Sequence, residues 1–174
     1  MTRAGDDSRP GAGGDRAQAI LFVCTGNTCR SALAAAVAGQ RLQELGLPWV
    51  AASAGVAAHE DSPASDTAIA VARQAGLDLS QHRARLVTRQ MVLQAVLLLA
   101  LVESQRRFIR RLAPEVRERV HGLRAYATRG AEHGEVADPI GGDAARYRRT
   151  LEEIRALVDE SLQRWSEEVR GRRR

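Results

Sequence analysis

The chain has 174 residues, enough for one domain with a single sizeable core, and its 44% hydrophobic and 27% charged content is that of an ordinary soluble globular protein. Its net charge of +5 rests on 26 arginines with no lysine, but only 3% of residues are aromatic, too few for base stacking, so nucleic acid is excluded as an expected partner. Its two cysteines, Cys24 and Cys29, share one short stretch and cannot build a disulfide framework of the secreted kind, which points to a reducing cytoplasm.

Residues 1–17 are polar, rich in Gly, Asp and Arg, and lack the apolar core of a signal peptide; they read as a disordered leader. Ala19 to Val23 is an apolar run that fits a strand buried on both faces, stopping at Cys24. A helix is expected from Ser31 to Leu45, carrying Leu33, Val37 and Leu42 and closing at Gly46. Trp49 to Ala54 reads as a second strand. Ser62-Pro63 has the form of a helix start, N-cap followed by N1, with termination at Gly76. Thr88 caps a brief helix ahead of a strand near Ala95 to Leu101. The whole apolar run Val92 to Val102 is too short to span a bilayer and is taken as a central strand, so no membrane association is expected. Glu103 to Leu112 is a helix with Phe108, Ile109 and Leu112 on its apolar side. Leu123 to Ala127 is the candidate last strand. Asp143 to Arg170 places Tyr147, Leu151, Ile154, Val158, Leu162, Trp165 and Val169 three or four apart, a long amphipathic helix, with 171–174 a solvated basic tail. Strands alternating with helices give an α/β domain over 18–170: an open twisted parallel sheet of about four strands, helices on both faces, ligands at the carboxyl ends of the strands.

Between the first strand and the first helix stands C-T-G-N-T-C-R-S, Cys24 to Ser31. Successive N–H groups of such a loop, converging at a helix N-terminus, bind an oxyanion of phosphate size because their partial charges need no reorganisation when the anion arrives. Arg30 adds a planar fork that takes two oxygens at once, which lysine cannot do. Cys24 would then sit beneath the phosphorus as nucleophile. An ordinary thiol with a pKa of about 8.5 is about 3% ionised at pH 7, so complete ionisation gains only about thirtyfold. Most of the acceleration must come from holding the phosphoryl group and stabilising its equatorial charge. Transfer also needs a proton for the leaving group, and Asp138, in an Asp-Pro pair ahead of the last helix, is the candidate acid; the alternative is a turn-initiating Asp.

Val23 to Ser31 resembles the low-molecular-weight protein tyrosine phosphatase family, whose V-C-x-G-N-x-C-R-S pattern it matches without a break, although the Pro that often follows is Ala32 here. Ser53-Ala54-Gly55 is similar to the family's S-A-G, and Ser80 to Arg85 to its S-x-H-x-A-R, so the resemblance covers most of Ile20 to Arg170. It departs at Leu97 to Gln105, where acidic and Met-containing sequence is often seen. The resemblance implies a phosphatase I-like fold and catalysis by Cys24, Arg30 and Asp138 through a phosphocysteine intermediate. It implies phosphate binding by Thr25, Gly26, Asn27, Thr28, Cys29, Arg30 and Ser31, with Asn27, Ser31, Ser53 and His82 as a network supporting the loop. Phosphorylated proteins are the implied substrates, with no cofactor and no metal. By themselves His59, His121 and His133 show no metal-ligand spacing and read as surface or packing residues.

Two positions bear on the substrate. A residue between Asn27 and Cys29 is commonly aliphatic in the family's tyrosine phosphatases, whereas Thr28 resembles the bacterial protein arginine phosphatases. Tyrosine phosphatases tend to carry aromatic residues just after D-P, and the arginine phosphatases usually carry one there too; Ile140-Gly141-Gly142 offers none and so departs from both patterns, more from the tyrosine one. The reading is a cysteine-dependent phosphatase acting on phosphoarginine in proteins. The alternatives are a phosphotyrosine phosphatase, or a non-catalytic phosphate-binding or redox-sensing module. Cys29 either captures an oxidised Cys24 as a reversible disulfide or fills space beside the loop. Arsenate reductases of the same fold use further cysteines downstream, and none exist here.

Overall fold

The computed structural model describes residues 18–172. The leader expected over 1–17 and the end of the basic tail, 173–174, lie outside the described residues. Four parallel strands form one sheet in the order β2-β1-β3-β4: β1 (Ala19–Cys24), β2 (Val50–Gly55), β3 (Ala95–Ala100) and β4 (Val120–Gly122). The helices are α1 (Arg30–Glu44), α2 (Asp66–Gln74), α3 (Arg89–Gln94), α4 (Glu103–Leu112), α5 (Leu123–Ala127) and α6 (Ala144–Arg172), and a 3-10 turn spans Pro114–Arg119.

Alternation along the two central strands divides the core. Ile20, Phe22 and Cys24 of β1, with Leu97 and Leu99 of β3, face a layer built from α1, α2, α5 and α6. Leu21, Val23, Leu98 and Ala100 face the opposite layer, which includes Val92 of α3 and Ile109 of α4. Both strands are thus continuously apolar because both faces are covered. Each fully buried Leu or Phe contributes about 1.5–3 kcal/mol. The sheet order turns in opposite directions after β1, with β2 on one side and β3 on the other. Such a switch point leaves a crevice at the carboxyl ends of the strands, where Cys24 ends β1.

Four sequence expectations are corrected. Leu123 to Ala127 is helix α5; the last strand is β4, three residues earlier. Leu123, Tyr126 and Ala127, its buried residues, stand at i, i+3 and i+4, a helical spacing in a segment too short for its period to be plain. The helix expected from Ser62-Pro63 starts at Asp66, because Ser65 accepts a hydrogen bond from the Ala68 N–H while the Ser62 carbonyl is taken by the Ala84 N–H. Val92 to Gln94 closes α3, which the Thr88 cap starts, so β3 is shorter than the apolar run. Helix α6 continues through Gly171 to Arg172, beyond the expected stop at Arg170. No described helix is long and apolar enough to cross a membrane.

Candidate active site

Helix α1 begins without a side-chain cap and with no acidic residue in its first turn, whereas α2 has both a Ser65 cap and Asp66. The positive end of a 15-residue helix is therefore left for an external anion. In front of it the loop folds tightly. Asn27 takes a left-handed conformation, φ 56°, which Asn tolerates better than most residues. Its N–H donates to Cys24 Sγ at 3.2 Å, and Ser31 Oγ stands 2.8 Å from the same sulfur. Cys24 is 3% exposed and Arg30 6%, so both side chains are nearly sealed from solvent.

Hydrogen-bond directions fix what the sulfur meets. The Arg85 N–H can only donate, so it sets Asn27 Oδ1 as its acceptor at 3.0 Å and turns Asn27 Nδ2 toward Ser31 Oγ (2.8 Å) and Ser53 Oγ (2.9 Å). Because Ser31 Oγ accepts from Asn27, its own proton is left for Cys24 Sγ; the next acceptor, the Ala54 carbonyl, is 3.5 Å away. A hydroxyl and an N–H are thus both aimed at the Cys24 sulfur. His82 Nε2 lies 2.6 Å from the Asn27 carbonyl, which can only accept, so this nitrogen carries the proton. Burial first, then Arg85 and Arg83, push the His82 pKa down, leaving a neutral ring that acts as a strut. Asn27, Ser31, Ser53 and His82 thus converge as expected.

The other expected residues are placed as follows. Thr25 and Gly26 lead the loop. Thr28 is half-buried, its carbonyl held by the Ser65 N–H, and its hydroxyl makes no hydrogen bond among the described residues. Cys29 is the buried N-cap residue of α1; burial, with Asp138 and Cys24 adding, pushes its thiol up to about 12. Both cysteines are free thiols. Arg30 reaches across the crevice, Nη1 donating to the Val136 carbonyl at 3.0 Å and Nη2 to Asp138 Oδ2 at 3.2 Å. Asp138 is also a turn initiator, Oδ1 accepting from the Ile140 N–H at 3.1 Å, so the two readings of Asp138-Pro139 are compatible. Ile140 is 60% exposed beside it.

Three residues were missed as parts of the site. Arg85 supplies the N–H that orients Asn27, and its Nε donates to the Ser53 carbonyl at 2.9 Å. Gln105, fully buried in α4, accepts from the Val102 N–H through Oε1, so its Nε2 donates to Thr25 Oγ1 at 3.1 Å. That leaves the Thr25 proton free to donate elsewhere. Gly55 lies flat against the loop at the end of β2. The S-A-G and S-x-H-x-A-R segments contain Gly55 and Arg85 but do not reveal these contacts; Gln105 carried no signal at all.

Comparison with known proteins agrees with this geometry. A family model described as low molecular weight phosphotyrosine protein phosphatase matches residues 19–173. A protein-arginine-phosphatase of Geobacillus stearothermophilus is 36% identical over 141 residues, covering 80% of this chain and 90% of the relative. A probable low molecular weight protein-tyrosine-phosphatase of Ralstonia nicotianae is 34% identical over 141 residues, again covering 80% of this chain and 90% of the relative. The crystal structure of a low molecular weight protein tyrosine phosphatase from T. tengcongensis superposes with a TM-score of 0.80 at 35% identity, covering 84% of this chain and 99% of that one. With the family model matched over nearly all the described residues, this chain belongs to the low molecular weight protein phosphatases, which are cysteine-based enzymes.

Proposed function

We propose that the protein hydrolyses phosphoarginine in proteins through a phosphocysteine intermediate. Cys24 Sγ attacks phosphorus, the bond from phosphorus to the guanidino nitrogen breaks, and Asp138 gives that nitrogen its proton. Water then attacks the phosphocysteine with Asp138 taking the proton, releasing inorganic phosphate and restoring the thiolate. Arg30 and the N–H groups of Thr25 to Ser31 hold the phosphoryl oxygens throughout. For this Arg30 must exchange its contact with Asp138 for the phosphoryl group, which frees the carboxyl group to turn to the leaving group. A reducing compartment such as the cytoplasm suits two free thiols.

The observation that carries the substrate choice is Thr28, with a hydroxyl unengaged among the described residues beside the phosphate loop and no aromatic residue at 140 to 142 to flank a phenyl ring. A polar group there suits a guanidino leaving group, and a site built on a hydrogen bond discriminates strongly because the wrong substrate leaves it unpaired. Phosphotyrosine is the second reading, supported by the exposed apolar Ile140 beside Asp138 and by relatives of nearly equal identity in both classes. The deciding measurement is kcat/KM on matched phosphoarginine and phosphotyrosine peptides for the wild type and Thr28→Ile. Loss of one hydrogen bond to a charged group, about 1.5–3 kcal/mol, should cut the phosphoarginine preference by roughly ten- to a hundredfold. A wild type that prefers phosphotyrosine, or an unmoved ratio, makes Thr28 a packing residue and leaves the second reading. Absence of any single-turnover phosphate release would leave a binding module.

A further inference from the structure

At the outer edge of the sheet, the layer containing α4 and the layer containing α5 and α6 part around β4 and leave a cavity of about 570 Å³. Such a volume suits a small molecule rather than a single water. Arg106 and Arg110 enter it from α4, Arg164 from α6 and His121 from β4. This is a different place from the phosphate loop, which contributes no lining residue.

The charges there are unevenly matched. Arg106 forms a two-pronged pair with Glu103, and Arg164 is paired with Glu168 and stacked on Tyr126. Glu103 is held well below the ordinary range, about 2, by Arg106 above all, so it is already committed. Arg110 has no carboxylate partner among the described residues. One of its terminal nitrogens donates to the Val120 carbonyl, while its Nε is buried with no hydrogen-bond partner there. It also stands one helical turn from Arg106, a like-charge pair that repels. Arg110 lines the cavity as a cation that no carboxylate neutralises among the described residues, and an oxyanion bound there would offset its charge and its repulsion with Arg106.

We propose that this cavity binds a small multivalent oxyanion, carrying carboxylate or phosphate groups, between Arg106 and Arg110 on one side and Arg164 on the other, with His121 in its lining. The site is independent of the phosphatase reading. Its wall at Gly134 and Glu135 runs directly into Val136, whose carbonyl holds Arg30, so an occupant would lie one residue from the support of the phosphate loop.

Two imidazoles report the two sites in one experiment: His121 the cavity, and His82, bonded to Asn27, the phosphate loop. Imidazole NMR of the full chain is recorded while citrate, and separately inorganic phosphate, is added at constant ionic strength. Citrate should move His121 saturably; phosphate should move His121 and His82 with distinct midpoints. In Arg110→Gln the His121 affinity should fall about tenfold or more, with Arg106→Gln as a second variant that leaves the Val120 contact intact. The proposal is overturned if chloride produces the same His121 response, if that response only follows the midpoint of His82, or if neither variant changes it.

Discussion

A Cβ placed on Gly55 would stand 2.4 Å from the Thr25 carbonyl oxygen and 3.0 Å from the Asn27 nitrogen. Both obstacles are backbone, so no side chain can swing aside and the phosphate loop itself must move. The requirement is steric closeness, since the backbone of Gly55 is ordinary extended strand paired with Cys24. Gly55→Ala should therefore act on catalysis more than on folding. Overpacking of this kind costs about 1–3 kcal/mol of stability, which a domain with this core survives. Misplacing a catalytic loop by about 1 Å can cost about a hundredfold in rate. The expected outcome is a folded variant with kcat/KM on an aryl phosphate reduced by about that factor. Activity within twofold of wild type would mean that the loop adapts and that Gly55 does not set its position.

At the scale of elements, the loop Val136 to Asp143 is tied at Val136, which donates to the Leu101 carbonyl and accepts from Arg30, and at Asp138, whose carbonyl accepts from Arg146 of α6. These ties bring the Asp138 carboxylate to Arg30 across more than a hundred residues of chain. If Asp138 protonates the leaving group, Asp138→Ala should slow hydrolysis greatly for leaving groups of high pKa and little for one that departs as a stable anion. Equal loss across an aryl series of widely different pKa would make the residue a turn former only. The phosphate loop was legible in the sequence because strand, loop and helix are contiguous, from Ala19 through Cys24 to Arg30 and beyond. The place of Asp138 at that strand edge, where it meets Arg30, was legible once the loop defined the edge. Helix α5 was misread because five residues give little more than one turn of period, and Gln105 was invisible because its role depends on α4 being folded back against Thr25, a pairing no local pattern encodes.

For the molecule as a whole, the two most buried imidazoles make acid the weak side. His82 and His121 both have pKa values pushed below the ordinary 6.5, each by burial first, with nearby arginines adding to the effect. In the unfolded chain they take up protons near pH 6.5 as ordinary histidines do, while in the folded chain they resist. The unfolded state therefore binds more protons in that window, so what these two rings contribute is fully present above pH 6.5 and declines as pH falls from there through the lowered folded values. Glu103, held near 2, adds a second loss that begins only as pH drops below its ordinary 4.5, and solvent screens it because its side chain is 39% exposed. Urea unfolding should accordingly give a lower midpoint at about pH 5.5 than at about pH 7.5, with an unchanged slope. Replacing both imidazoles, in His82→Gln with His121→Gln, should flatten this dependence, because glutamine keeps a donor for the Asn27 carbonyl and does not titrate. A wild-type midpoint that stays level between those two conditions would show that neither ring is sheltered from protonation, and that the His82 strut holds Asn27 equally well when charged.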